Sequence, residues 1–314
     1  MLSFVTVLCV IAYARPFLAK GKVITTRGGA EVVFVVDYSA SMFLKDSGMA
    51  RIDIVAREIK KTLSGGIIRE GDRVAIIIFG KIVSPRIFLT RDLNIIATEA
   101  DKIGRPINLL YNDLFWGTSV ATAFKRVKEM LDRQDMFAEM HKESENWKPR
   151  PRQNRLVIFF SDGDFFNKGL DVIEKERVAI EKKNLEINLS DLKKRGVPVY
   201  AVGIGTRSNT QLLEILDDYK RGEEYSLELE NELRFQFSRL NMDNMEYIAS
   251  FTGARSFSIE NFRHDASGFI KTSIEKHRSV FVQGVSGQEK QELWAVCLVG
   301  ALMIFIFGLQ ITRF

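Results

Sequence analysis

The run Glu31-Val32-Val33-Phe34-Val35-Val36 constrains this chain most, because it stops at an aspartate. A short, continuous apolar run rich in β-branched residues is the pattern of a strand buried on both faces, which places it inside a parallel sheet. Asp37-Tyr38-Ser39-Ala40-Ser41 follows at once. A carboxylate and two hydroxyls therefore stand at the carboxyl end of a central strand, where open α/β sheets bind their ligands. Alternate spacing lets residues 37, 39 and 41 turn three oxygen groups toward one point. Hard oxygen donors without His or Cys suit a hard divalent cation, magnesium above all, with manganese as the alternative. Taken alone, Asp and Ser are also common turn residues, and such a spacing arises often by chance.

Two further segments carry the same chemistry. Phe115-Trp116-Gly117-Thr118-Ser119 precedes a helical pattern with Val120, Phe124, Val127 and Leu131 on one face. It puts the Thr118 hydroxyl at a loop-to-helix junction. Leu156-Val157-Ile158-Phe159-Phe160 reads as a second buried strand and ends in Ser161-Asp162-Gly163-Asp164. Each segment singly is also an ordinary N-cap or turn. Their combination, each at a strand tip or helix start, favours one shared site.

Asp37, Ser39 and Ser41, then Thr118, then Asp162, in this chain order, resemble the von Willebrand factor A domain. Glu70-Gly71-Asp72-Arg73-Val74 leading into Ala75–Phe79 is similar to that family's second strand, and Val197 to Thr206 to its late strand and following turn. The resemblance covers roughly residues 30–280. It implies a Rossmann-like α/β fold with a mostly parallel central sheet and helices on both faces. It also implies a metal-ion-dependent adhesion site. Ser39, Ser41 and Thr118 would contact the cation directly or through water, while Asp37 and Asp162 would hold coordinating waters. Asp164 is the nearest spare carboxylate. A site of neutral hydroxyls leaves magnesium electron-poor, with one position for a partner's carboxylate. The implied function is metal-bridged protein binding without covalent chemistry.

Both ends are apolar. Leu293–Ile311 is an uncharged run of 19 residues, long enough to cross a bilayer. Trp294 and Arg313 flank it as interface anchors. Leu2–Ala14 is apolar but short for a span. The expected organisation is an N-terminal transmembrane segment over 1–16, with a native start upstream as one alternative. A linker over 17–29, the A domain over 30–282 and a C-terminal transmembrane helix over 292–312 follow. An apolar segment ending in Ala14-Arg15-Pro16, a short linker, an A domain and a C-terminal span resemble the bacterial Bat (aerotolerance operon) membrane proteins. That resemblance implies the inner membrane, partnership with a MoxR-type AAA+ ATPase and other Bat-like membrane proteins, and a role in stress tolerance and envelope integrity. Arg15, Lys20, Lys22 and Arg27 lie on the domain side of the first segment, which favours a cytoplasmic domain over a periplasmic one.

Between the ends, strand and helix patterns alternate, as in a parallel sheet. Ile52, Val55, Ala56, Ile59 and Leu63 share one helical face. Val83–Leu89 reads as an edge strand, tempered by Pro85. Helices are expected over 95–103, 245–251 and 269–280. Two charged stretches, 133–154 and 166–192, read as solvated insertions, the second close enough to Asp162 to reach a bound partner.

Other functions lack their signatures. No P-loop, complete dinucleotide fingerprint, zincin motif or nucleophile elbow occurs. A net charge of +5, interspersed with acids, does not indicate nucleic-acid binding. Cys9 and Cys297 both lie in the apolar ends and read as small hydrophobes. Two alternatives to the binding module remain: a magnesium-dependent phosphotransferase using Asp37 as nucleophile, and a structural membrane anchor with a vestigial metal site.

Overall fold

The computed structural model describes residues 17–27, 29–104, 117–140, 154–165, 172–217, 227–278 and 280–292, with isolated positions 13, 299, 300 and 303. The chain divides into two compact units, residues 28–279 and the two terminal segments together.

The larger unit is built on a six-stranded sheet of order β4-β3-β2-β5-β6-β9. Its strands are β2 (Glu31–Asp37), β3 (Arg73–Phe79), β4 (Val83–Thr90), β5 (Arg155–Ser161), β6 (Val199–Ile204) and β9 (Ser256–Ile259). Every pairing is parallel except β3 with β4. β4, the edge strand holding Pro85, is only partly buried. Every residue of β2, β5 and β6 is buried, which is why these strands read as unbroken apolar runs.

Strand alternation splits the core in two. Val32, Phe34 and Val36 pack with α1 (Arg51–Ser64), α2 (Leu93–Ile103) and α8 (Ser267–His277), whereas Val33 and Val35 pack with α3 (Val120–Met140), α4 (Val172–Lys194) and α7 (Met242–Phe251). Helices thus cover both faces. Ile52, Val55, Ala56 and Ile59 are buried on α1, with Leu63 partly buried beside them. Val120, Phe124, Val127 and Leu131 are fully buried on α3. A small arm after β6 holds β7 (Thr210–Gln211), α5 (Glu214–Asp217), α6 (Leu227–Arg234) and β8 (Phe237–Ser238), with β7 and β8 paired antiparallel.

The chain leaves β2 toward β3 on one side and later returns to place β5 on the other. The connection order therefore reverses at β2, the position where open sheets leave a crevice at their carboxyl ends. At the opposite end, the Asp72 carboxylate accepts from the Ala30 N–H (2.7 Å) and from Arg278 (2.5 Å), tying α8 to the start of β2.

Three expectations need correction. The stretch 17–29 is not a plain linker: Phe17–Arg27 forms β1, paired antiparallel with β10 (Val280–Glu292) as a separate two-stranded ribbon. The β-branched run Val23-Ile24-Thr25-Thr26 is its local signal, hidden by the polar Lys20-Gly21-Lys22. The closing helix ends at His277, so the boundary expected at 282 falls within β10. Finally, the charged stretches are not insertions throughout. α3 continues to Met140, and α4 buries Leu185, Leu189 and Leu192 at helical spacing in the core that α3 also lines. Residues 141–153 and 166–171 lie outside the described residues.

The apolar terminal segments lie almost wholly outside the described residues. Among the described residues, no helix is long and apolar enough to cross a membrane.

Candidate metal centre

β2 ends on Asp37, whose register partner on β3 is Phe79, while Val36 faces Phe160 on β5. Asp37 is fully buried. Its Oδ1 accepts from the Ser39 N–H (2.9 Å), an Asx-type turn that ends the strand. Its Oδ2 accepts from Ser161 Oγ at the tip of β5 (2.6 Å). The chain then enters a 3₁₀ turn over Ala40–Phe43, with Ser39 at its N-cap. This turn brings the Ser39 and Ser41 hydroxyls to 3.2 Å from each other, so the alternate spacing does turn them to one place.

Asp162 follows β5 directly and is 2% exposed. Its Oδ1 accepts from the Asp164 N–H (3.0 Å), and its Oδ2 from Ser238 Oγ (3.0 Å) and Arg51 Nη1 (2.9 Å). Burial, and then the neighbouring Asp162 charge, push the Asp37 carboxyl up to about 7, against the hydrogen bonds from Ser161 and Ser39. Two buried carboxylates therefore repel each other at one corner of the sheet.

Thr118 lies on the same edge. The Ser119 N–H donates to the Gly80 carbonyl just past β3 (2.8 Å), which pins the start of α3 beside the tip of β3. Gly117, at φ 128°, makes the turn into this junction. Thr118 itself makes no direct hydrogen bond to the Asp37, Ser39, Ser41 and Asp162 group. Beside it opens a pocket of about 280 Å³ whose walls include Phe165 and Arg177.

Arg51, Asp46 and Ser238, which complete this corner, were not legible in the sequence. Arg51, the first residue of α1, is fully buried. Its guanidinium holds Asp162 and Ser238 through Nη1 (both 2.9 Å) and Asp46 through Nε (3.0 Å) and Nη2. Asp46 Oδ2 also accepts from the Thr206 N–H and hydroxyl (both 3.0 Å). Burial pushes the Asp46 carboxyl up, but Arg51 and Thr206 outweigh it and hold it below the usual range. Gly205, at φ 130°, lies against the guanidinium: a Cβ there would sit 2.7 Å from Arg51 Nε. A helix-starting Arg reads as a solvated side chain. Asp46 is a near neighbour in the chain, but Asp162, Ser238 and Gly205, which enclose the guanidinium with it, come from far along the sequence.

The chemistry of the donor set fits a hard divalent cation. Two carboxylates, of Asp46 and Asp162, hold one buried guanidinium, and the buried Asp37 carboxyl stands beside Asp162, which leaves negative charge in excess. Two hydroxyls face each other in the same corner. Among the described residues, no group of three or more His, Cys, Asp or Glu is arranged to hold a metal, so such a site would depend on the hydroxyls.

Residues 32–164 match the family model of the von Willebrand factor type A domain. Among solved structures, the chain is similar to the conserved hypothetical protein BatB from Bacteroides thetaiotaomicron, at 16% identity and a TM-score of 0.52, over 79% of this chain and 97% of that one. It is also similar to an aerotolerance-related membrane protein from Bacteroides fragilis NCTC 9343, at 18% identity and a TM-score of 0.51, over 79% and 98% of the two chains. Likeness at this level of identity concerns the fold. No curated protein matches the sequence.

Proposed function

We propose that this chain, which carries a von Willebrand factor type A domain over residues 32–164, is a membrane-anchored module that binds a partner protein through a divalent cation. The observation that carries this reading is the corner where Asp37 and Asp162 lie buried beside the paired Ser39 and Ser41 hydroxyls.

Ser39, Ser41 and Thr118 would ligate magnesium or manganese, and Asp37 and Asp162 would hold its waters. The cation, when bound, supplies an electrophilic position that a partner's carboxylate completes. The chain's own residues do the positioning. The Ser39 N–H and the Ser161 hydroxyl fix both oxygens of Asp37. Arg51 and Ser238 occupy Oδ2 of Asp162, which leaves Oδ1, with a single backbone donor, the less committed oxygen. Asp37 is fully buried with both oxygens engaged, which suits a structural anion better than the nucleophile of a phosphotransferase.

We place the domain at the bacterial inner membrane, anchored by the apolar segments around 2–14 and 293–311, with the cytoplasmic side favoured by the basic residues after the first segment. The Bat-like organisation makes a MoxR-type ATPase and other Bat-like membrane proteins the expected partners. Co-purification from membranes in magnesium and in EDTA, with wild type and Asp162→Ala, tests the reading. A neighbour retained only by the wild type in magnesium is the expected result. Retention that ignores both the chelator and the substitution would refute it.

A further inference from the structure

We infer that the Thr118 side of this face selects an acidic protein segment with two carboxylates, one for the cation and a second for Arg177 and Lys81. The inference rests on the metal-bridged reading above and adds the chemistry of the partner.

The pocket beside Thr118 joins three elements. Thr118 and Ser119 come from the start of α3, Phe165 from the loop after β5, and Arg177, Val178 and Glu181 from α4. Lys81, in the turn between β3 and β4, stands at its rim: a Cβ on Gly117 would lie 3.5 Å from the Lys81 Cβ. Lys81 and Arg177 are exposed, and neither forms an ion pair among the described residues. Glu181, the acid in the pocket wall, is already committed. It accepts from the Ala121 N–H (2.9 Å) and Ser119 Oγ (3.3 Å). There the positive end of the α3 dipole offsets its charge. Among the described residues, the charges at this pocket that carry no hydrogen bond of their own are the two cations Lys81 and Arg177. A guanidinium with no ion-pair partner among the described residues, next to the residue expected to ligate the ion, is suited to a second carboxylate.

The test titrates the full chain in detergent, with manganese, against two synthetic glycine-rich peptides. One carries a single Asp and the other an Asp and a Glu a few residues apart. Wild type is compared with Arg177→Gln, Lys81→Gln and the double variant. Wild type is expected to bind the two-acid peptide more tightly by roughly two- to fivefold, the range of an exposed charge pair. That preference should vanish in the double variant and shrink at high salt. Manganese affinity itself, measured without peptide, should not change. Equal binding of the two peptides by wild type, or a preference that survives in the double variant, overturns the inference alone. Peptide binding unaffected by EDTA overturns the metal-bridged reading and this inference with it.

Discussion

Replacing Arg51 with leucine removes the only buried cation among the described residues of this corner while keeping most of the side chain's apolar volume. The wild-type guanidinium makes two bonds to Asp46, one to Asp162 and one to Ser238. Hydrogen bonds to charged groups contribute about 1.5–3 kcal/mol each, so a naive sum would reach about 6–12 kcal/mol. That sum ignores the desolvation that Arg51, Asp46 and Asp162 have already undergone. The appropriate magnitude is that of breaking a buried ion pair, about 3–5 kcal/mol, because uncompensated buried charge remains. For a domain of this size the melting temperature should fall by roughly 6–20 °C. Urea denaturation in EDTA, with a bound cation excluded, measures the effect. Arg51→Lys should recover only part of it, since an ammonium lacks the planar fork that reaches both Asp46 and Asp162. In a double-mutant cycle with Asp46→Asn, the two losses should be clearly non-additive. A leucine variant within about 1 kcal/mol of wild type would refute the claim that the guanidinium compensates these carboxylates.

Four other outcomes follow from the same geometry. Asp37, raised to about 7 from 3.8, binds a proton more readily in the folded than in the unfolded chain. The Asp37 contribution to cation-free stability should therefore be fully present below about pH 4, fall as pH rises to about 7, and then level off. Denaturation midpoints in EDTA across this range check it, and Asp37→Asn should flatten the slope. Cation affinity should rise over the same interval, which calorimetric titration reads directly. Gly205→Ala forces a side chain into positive φ and against Arg51, so it should destabilise by about 1–3 kcal/mol. Leu189→Ala on α4 should cost about 2–5 kcal/mol by thermal or chemical denaturation, while exposed Lys183→Ala should stay within about 0.5 kcal/mol. Equal effects at these last two positions would mean that α4 is not part of the core.

Much of the fold was legible because its signals are local. β2 and β5 announce themselves as unbroken apolar runs, since both faces of the sheet are covered. α1 and α3 show their buried faces at helical spacing. The Asp37, Ser39 and Ser41 group was legible for the same reason, as one tight turn joins all three within five residues. α4 was misread because exposed Ile180 and Ile187 and many charges blur its periodicity, although Leu185, Leu189 and Leu192 are buried. The β1–β10 ribbon escaped because its strands are separated by most of the chain, and no local pattern names a distant pairing partner.

Sequence alone determined the strand-ending acids, the hydroxyls beside them and their chain order, because each depends on the few residues around it. Tertiary structure decided the electrostatics. It buried Asp37 next to Asp162, and it drew Arg51 into bonds with Asp46, Asp162 and Ser238, residues as far as 187 positions away. The burial of a charge and the identity of its counter-charge are properties of the packed fold, set by which distant segments exclude water from it.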